Sequence, residues 1–497
     1  MRRAAYRLIA PVETFPRSPL DRRGDAGERR RMRTTLPPIA VIGAGFSGTM
    51  AALHLSRLMP ERPVLLCEKS GAFARGLAYA TGCSDHLLNV RATNMSAFPD
   101  QPEHFARWLE ACPLDGAAWT RSTPAGLFAA RGLYGRYVTD LLLTALSEPG
   151  PAPRLMLEND EVVDLAPTAE GFDLTLAAGR RRQVAGAILA CGNLRAPRGP
   201  RSRYAVDPWD DTPLDDLRSD LPLLIIGTGL TMVDAVAALR QRRFAGPILA
   251  VSRHGLLPQV HAAGAPWPAP EIPIAARRSL TALLRFLRDE TRRAASAGID
   301  WRSVIDSLRG ASIGLWRSLP LSEQRRFLRH VRAFWDVHRH RMAPPAAEII
   351  GRERAGGGLT LMRARVVAVE DQAGHARVSL RERGAATPRI VDVQRIIDAT
   401  GVGRVADTDD LLLRRLMGRG LIRPDALGLG LAVADDLAVL DQRGEAGRPL
   451  WTLGPLLRGT LWECTAVPDI RGQAAELARI VAARLQETAS GTERETA

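Results

Sequence analysis

Two glycine clusters carry the chemistry that this sequence can do. In the first, Gly43-Ala-Gly45-Phe46-Ser47-Gly48 follows the apolar run Ile39 to Ile42 and opens a helix near Phe46. Gly43 permits a tight turn, Gly45 lets a pyrophosphate approach the backbone, and Gly48 lets helix and strand pack closely. The free N–H groups and positive dipole end of that helix then face the phosphates. A second apolar strand, Val64 to Cys67, ends at Glu68, twenty residues after Gly48, with Lys69 beside it. The Glu68 carboxylate can accept hydrogen bonds from both ribose hydroxyls. Strand, turn, helix, strand and terminal acid, in that order, define a dinucleotide site.

The second cluster is a weaker copy. Leu221 to Ile226 is a buried strand, followed by Gly227-Thr-Gly229-Leu230-Thr231-Met232 and an apolar helix. Met232 stands at the third glycine position and predicts looser helix–strand packing. The next strand, Pro247 to Val251, ends in Ser252-Arg253-His254 instead of an acid. An acid there would repel a 2′-phosphate, whereas a guanidinium binds it bidentately. Arg253 therefore favours NADPH over NADH, against the plainer reading of one more solvated arginine. Different terminal residues on the two copies suggest FAD on the first and a nicotinamide coenzyme on the second.

Composition removes other classes. The hydrophobic share of 46% and charged share of 25% are those of a globular protein, and 497 residues suffice for two or three domains. The net charge of +14 comes with a single lysine, Lys69, among 68 basic residues. With aromatics at only 5% and arginines spread along the whole chain, these are solvated positions, not a nucleic-acid surface. The five cysteines occur singly, which argues against a disulfide framework, a zinc site or a redox-active pair. No apolar run reaches a membrane span or a signal segment, so a cytoplasmic protein is expected. His338 and His340 are spaced i, i+2, which points them to different helix faces. No metal site is expected there.

The elements that must position these residues follow from apolar periodicity and turn residues. They predict an α/β fold of two Rossmann-like dinucleotide-binding domains, the second inserted in the first, with a helical insertion. Residues 1–34 read as a disordered basic extension, with Met32 as an alternative start. Residues 35–205 form the first part of the FAD-binding domain, in which Arg154 to Leu165 and Phe172 to Ala177 look like a small meander. A Pro-, Asp- and Arg-rich linker follows at 195–220. The NAD(P)-binding domain occupies 220–393 and carries the helical insertion, 274–345. Arg395 to Asp398, ending in Ala-Thr400-Gly401, marks the return to the FAD-binding domain, 394–486, which closes on a helix over Pro468 to Leu485. Residues 487–497 read as a disordered tail.

The chain resembles a bacterial family of FAD/NAD(P)-binding proteins distantly similar to the flavin-dependent N-hydroxylating monooxygenases of the ornithine and lysine type. The resemblance covers Pro38 to Ala483. It rests on Val41 to Gly48, Arg75 to Tyr79, His86 to Val90, Met95 to Pro99, Arg131 to Tyr137 and Gly227 to Asp234. It continues through Ser252 to Gly255, Trp335 to Arg341, Ala399 to Gly401, Gly454 to Glu463 and Ala466 to Arg471. It implies that the isoalloxazine lies between the Leu88–Phe98 loop, with Asn89, Arg91 and Met95, and the turn from Gly454 to Ala466, with Thr465. Asn89 suits a flavin edge or hydroperoxide, and equally a turn cap. Arg91, where the family pattern has a small residue, either acts on flavin or an acidic substrate or faces solvent. Arg458 and Glu463 read as ring-edge or substrate contacts, or as a surface ion pair.

The implied activity is reduction of FAD by NADPH, oxygen uptake and attack by a small amine or other soft nucleophile. A reductase or dehydrogenase without oxygen transfer, and a non-catalytic nucleotide-binding protein, are the alternatives. The expected partner is a small-molecule substrate, with neither nucleic acid nor membrane; oligomeric state is left open.

Overall fold

The computed structural model describes residues 36–112, 116–149, 153–195, 202–209 and 216–495, with backbone alone at 116, 117 and 488–495. The expected extension at 1–34 lies outside them. Strand β1 (Ile39–Ile42) turns at Gly43 into helix α1 (Phe46–Leu58), and β2 (Val64–Cys67) pairs parallel with β1 in the register Ile39 to Val64. Three more parallel strands complete a five-stranded sheet in the order Leu450–Thr452, Gly186–Leu189, β1, β2, Leu155–Glu158. All four residues of β1 are buried because both faces are covered. Ile39 and Val41 enter one core, against α1 and the C-terminal helix; Ala40 and Ile42 enter another, with the 162–184 strands and helix Leu411–Gly418.

The second sheet repeats the plan. Strand β3 (Leu223–Ile226) turns at Gly227 into helix α2 (Leu230–Gln241), and β4 (Ile248–Ser252) pairs parallel with β3. The order is Ala205–Val206, Arg395–Asp398, β3, β4, Leu359–Asp371, Ala376–Glu382, Arg389–Val393, the last two pairings antiparallel. Between β4 and Leu359 the chain runs through helices from Ile274–Arg278 to Arg332–Arg339. Pro344–Ala355 then packs back beside α2.

Four expectations differ from the structure. Arg395–Asp398 does not return to the first domain; it lies against β3, Leu223 facing Arg395. β3 is a central strand and needs a parallel partner on each side, so the crossing falls after it. Ala205–Val206, expected in the first domain and linker, is the edge of the second sheet, paired with Ile396 and Ile397. The rest of that linker lies partly outside the described residues. The strand pattern from Arg154 to Leu165 breaks at Asp160, whose carboxylate accepts from the Glu161 and Ala178 N–H groups. Its first half joins β2 and its second half begins a three-stranded meander. Finally, the closing helix α3 (Val467–Glu495) continues through most of the expected tail.

The two interdomain crossings run side by side. Arg195 bridges Val402 and Gly403 N–H donates to the Leu194 carbonyl at 2.8 Å. Arg458, buried, donates to the Gly403 carbonyl at 2.5 Å and so ties this double crossing to the segment before α3.

Candidate functional site

At both elbows the first glycine has φ beyond +100° and lies beneath the end of the neighbouring strand. A Cβ on Gly43 would overlap the Ala190 carbonyl, and one on Gly227 would overlap the Ala399 carbonyl. The glycine is therefore required by close approach as well as by backbone angle. The second glycine is open in both: a Cβ on Gly45 would meet only the backbone of Gly76, its Cα at 3.5 Å, and one on Gly229 nothing within 4 Å. That clear approach to a helix N-terminus is what a pyrophosphate needs.

The third position separates them. A Cβ on Gly48 would overlap the Gly43 carbonyl, so α1 lies directly on its turn. Met232 instead places a fully buried side chain in the core beside β3. The first turn of α2 is correspondingly shared, the Gly229 carbonyl accepting from Met232 N–H at 3.1 Å and Val233 N–H at 3.3 Å. In α1 the Gly45 carbonyl accepts from Thr49 N–H at 2.9 Å.

The strand ends also differ. Glu68 Oε2 accepts from Ala44 N–H at 3.0 Å and Oε1 from Ser70, leaving lone pairs for ribose hydroxyls. At the second elbow Ser252 Oγ lies 2.9 Å from Thr228 Oγ1 and accepts from Gly255 N–H at 2.9 Å. Arg253 next to it is exposed, with no partner among the described residues.

The turn after Leu450–Thr452 closes over the first elbow. Gly454, at φ +71°, sits so near α1 that its Cβ would be 2.7 Å from Ser47 Oγ. Its N–H donates to Gln473 Oε1 at 3.3 Å, while Gln473 Nε2 is buried without a partner. The Tyr134 hydroxyl, fully buried with its ring 5.9 Å from that of Phe46, is likewise unpartnered. Two orphaned polar groups beside an open helix N-terminus fit a polar cofactor such as FAD. Gln473 and Tyr134 were missed in the sequence. Tyr134 lay within a quoted motif, but nothing local marked its hydroxyl.

Asn89 and Arg91 lie where the two halves of the molecule meet. His261 donates from Nε2 to the Asn89 carbonyl at 2.9 Å; among the described residues the Asn89 amide has no partner. Burial pushes the His261 imidazole down to about 4, so it is neutral at physiological pH. Arg91, half-buried, donates to the carbonyls of Ala125 and Ala262. Its Nε and one terminal nitrogen thus join two loops, a role the sequence did not show.

Arg458 and Glu463 do not pair with each other. The Glu463 carboxylate, 5% exposed, accepts from Trp335 Nε1 at 3.1 Å and lies 3.4 Å from the buried Arg339. Trp462, at φ +61°, stacks on Trp316 with centroids 5.0 Å apart, and Arg309 holds Asp469 with two bonds. The helical insertion thus grips the 462–469 segment from outside. His338 donates from Nδ1 to the Phe334 carbonyl at 2.7 Å, and no His, Cys, Asp or Glu cluster among the described residues could hold a metal.

Other expected contacts scatter. Lys69 pairs on the surface with Glu161 at 3.1 Å, Met95 is 2% exposed in the first core, and Thr465 is exposed. Thr400 and Gly401 are exposed at the end of the second sheet, where Thr400 binds Asp398. All five cysteines are free, and no described helix is long and apolar enough to cross a membrane.

Comparison with known proteins agrees with this geometry. The FAD-NAD(P)-binding family model matches residues 40–194. An uncharacterized protein of Mycobacterium tuberculosis is 23% identical over 539 residues, spanning 92% of this chain and 98% of its own length. The reduced form of the ornithine hydroxylase of Pseudomonas aeruginosa superposes with a TM-score of 0.62 at 15% identity, covering 90% of this chain and 100% of its own. The ornithine N-hydroxylase of a Kutzneria species, with reduced FAD, NADP+ and L-ornithine, gives 0.58 at 15% identity over 90% and 99%. The L-lysine 6-monooxygenase of Pseudomonas syringae gives 0.57 at 16% over 91% and 99%. The chain therefore has the fold of flavoproteins with two dinucleotide-binding domains, and its residues 40–194 match the FAD-NAD(P)-binding family.

Proposed function

We propose that this chain is an FAD-dependent oxidoreductase that uses NADPH, a monooxygenase-like flavoprotein acting on a small amine or other soft nucleophile. One observation carries the reading. The segment from Gly76, which lies against Gly45 of the first elbow, runs on to Asn89 and Arg91, which are bonded to the domain of the second elbow. A single stretch of chain thus links the two nucleotide sites. Bound FAD would supply hydride acceptance and oxygen activation.

The chain's own groups bind and orient. The N-terminus of α1, with Gly45, Phe46 and Ser47, takes the FAD pyrophosphate, and Glu68 its ribose hydroxyls. Gln473 and Tyr134 offer polar groups to the same cofactor, and the N-terminus of α3 offers its positive dipole end. Gly229, Leu230 and Thr231 take the NADPH pyrophosphate, while Arg253 takes the 2′-phosphate. The Asn89 amide is the group assigned to substrate or flavin edge. Arg91 is reassigned from catalysis to holding the loop that carries Asn89. The substrates of the hydroxylases above, ornithine and lysine, support a small amine. Unpaired cysteines suit a reducing compartment, the cytoplasm.

The test is spectroscopic. Purified protein is expected to carry a flavin band that NADPH bleaches without oxygen. Readmitted air with candidate amines is expected to give oxygenated product in step with NADPH consumption. A colourless protein that takes up no FAD sinks the proposal; bleaching without product in an amine screen leaves a reductase.

A further inference from the structure

The loop that links the nucleotide sites is fastened across the domain boundary by two histidines pointing in opposite directions. His86, on the first domain, donates from Nε2 to the Asp234 carbonyl of α2 at 2.9 Å. His261, on the second, donates from Nε2 to the Asn89 carbonyl at 2.9 Å. A carbonyl only accepts, so both rings must carry a proton on Nε2. The Thr81 hydroxyl, 2.8 Å from His86 Nδ1, holds that tautomer by donating to Nδ1. Around them Arg131 pairs with Asp234 at 3.2 Å and Gln241 donates to Ser84 at 3.2 Å, while Arg91 reaches the Ala262 carbonyl at 3.0 Å. The four residues from His86 to Asn89 are therefore held at both ends by the second domain.

We propose that His86 and His261 are positioning residues that hold the two nucleotide sites in register for hydride transfer. His261 fixes the backbone of the Asn89 loop on the flavin side, and His86 fixes the helix that follows the second elbow. The proposal rests on the FAD and NADPH reading above. In the step served, NADPH gives up a hydride and becomes NADP+; the hydride and one proton from solvent reduce FAD. Such a transfer needs the reacting atoms about 3–3.5 Å apart, and a misplacement of about 1 Å costs on the order of 100-fold in rate. An imidazole suits this work because its rigid ring fixes the direction of the bond, which a long arginine chain does not.

The experiment uses FAD-loaded protein with His86→Ala, His261→Ala and the corresponding His86→Gln and His261→Gln, since glutamine retains a donor close to Nε2. Stopped-flow bleaching by NADPH without oxygen separates the limiting rate from the NADPH dissociation constant. Each alanine variant is expected to lose at least about tenfold in limiting rate, with the dissociation constant and FAD content nearly unchanged and glutamine restoring most of the rate. Amide exchange in the FAD-free protein gives a readout independent of turnover: His261→Ala is expected to speed exchange at 87–92 but not in β1. Wild-type limiting rates in the alanine variants overturn the proposal, as does equal loss in alanine and glutamine variants together with loss of FAD. Should neither NADPH nor NADH bleach the wild-type flavin, the nicotinamide reading fails. Exchange at 87–92 that is unchanged in His261→Ala then overturns the histidine contacts on their own terms.

Discussion

The two elbows share a backbone device and differ in how tightly it is closed. Both place a positive-φ glycine under the end of a neighbouring strand, Gly43 under Ala190 and Gly227 under Ala399. Both leave the second glycine open. The first is then sealed: Gly48 lets α1 rest on the Gly43 carbonyl, Glu68 ties Ala44, and Gly454 covers Ser47. The second has Met232 where Gly48 would stand, a hydroxyl pair where Glu68 would stand, and an exposed arginine at its rim. A cofactor that stays bound benefits from a site built into the core. A coenzyme that must enter and leave each turnover is better served by a rim that charge holds and solvent reaches. With FAD on the first elbow and NADPH on the second, as proposed above, the difference between the elbows matches those two tasks.

Exchanging the third residue breaks the comparison most severely. Gly48→Met drives a side chain into the Gly43 backbone, and a loss of more than about 4 kcal/mol is expected, seen as colourless, poorly folded protein. The reciprocal Met232→Gly empties a core position and adds a helix glycine, for a cost of about 3–5 kcal/mol by urea denaturation. Its flavin content is expected to stay near that of the wild type, because the first elbow is untouched. If both variants lose flavin equally, the division of labour is wrong.

A titration comes next. The folded His261 pKa, about 4, lies below its unfolded value of about 6.5, so between these values the unfolded chain holds a proton that the folded chain lacks. Stability contributed by this group is present above about pH 6.5 and is lost as pH falls toward 4. Comparing the wild type with His261→Gln at pH 7.5 and pH 5, the wild type is expected to lose roughly 2 kcal/mol more on acidification. Parallel losses would remove His261 from the set of buried neutral groups.

Arg253→Ala sharpens the contrast at the rim. NADPH binding is expected to weaken by about 10- to 100-fold, the worth of charge-assisted hydrogen bonds, with NADH binding nearly unchanged. Equal weakening of both coenzymes in calorimetry refutes the 2′-phosphate assignment. Lys69→Ala completes the series with the smallest effect: its exposed pair with Glu161 is worth no more than about 1 kcal/mol, and FAD content is expected to be unaffected.

Much of the first elbow was legible because its signal is local. Glycine spacing, an apolar strand on each side and Glu68 lie within thirty residues, and each has a steric or electrostatic reason to be where it is. The second elbow was legible for the same reason, even with Met232 in place. The strand Arg395–Asp398 was recognised as a strand but assigned to the wrong sheet, because a strand's partner is chosen by the sheet that needs it. Asn89 and Arg91 were singled out as a loop near a flavin. That this loop is also a domain contact depends on His261, 172 residues from Asn89, and on Asp234, 148 residues from His86. Glu463 likewise read as a ring-edge or substrate contact or as half of a surface ion pair, and Trp335 and Arg339 of the insertion bury it instead.

By itself the sequence determined the two nucleotide elbows and which of them ends in an acid, because glycine geometry and strand periodicity act over a few bonds. Only the tertiary structure decided what faces what. It made Arg91 a tie between loops, hid Glu463 under the insertion, exposed Arg253 and set two histidines facing opposite ways across one boundary. The physical reason is that a buried polar group must find its partner in space, and chains bring such partners together from any distance along the sequence.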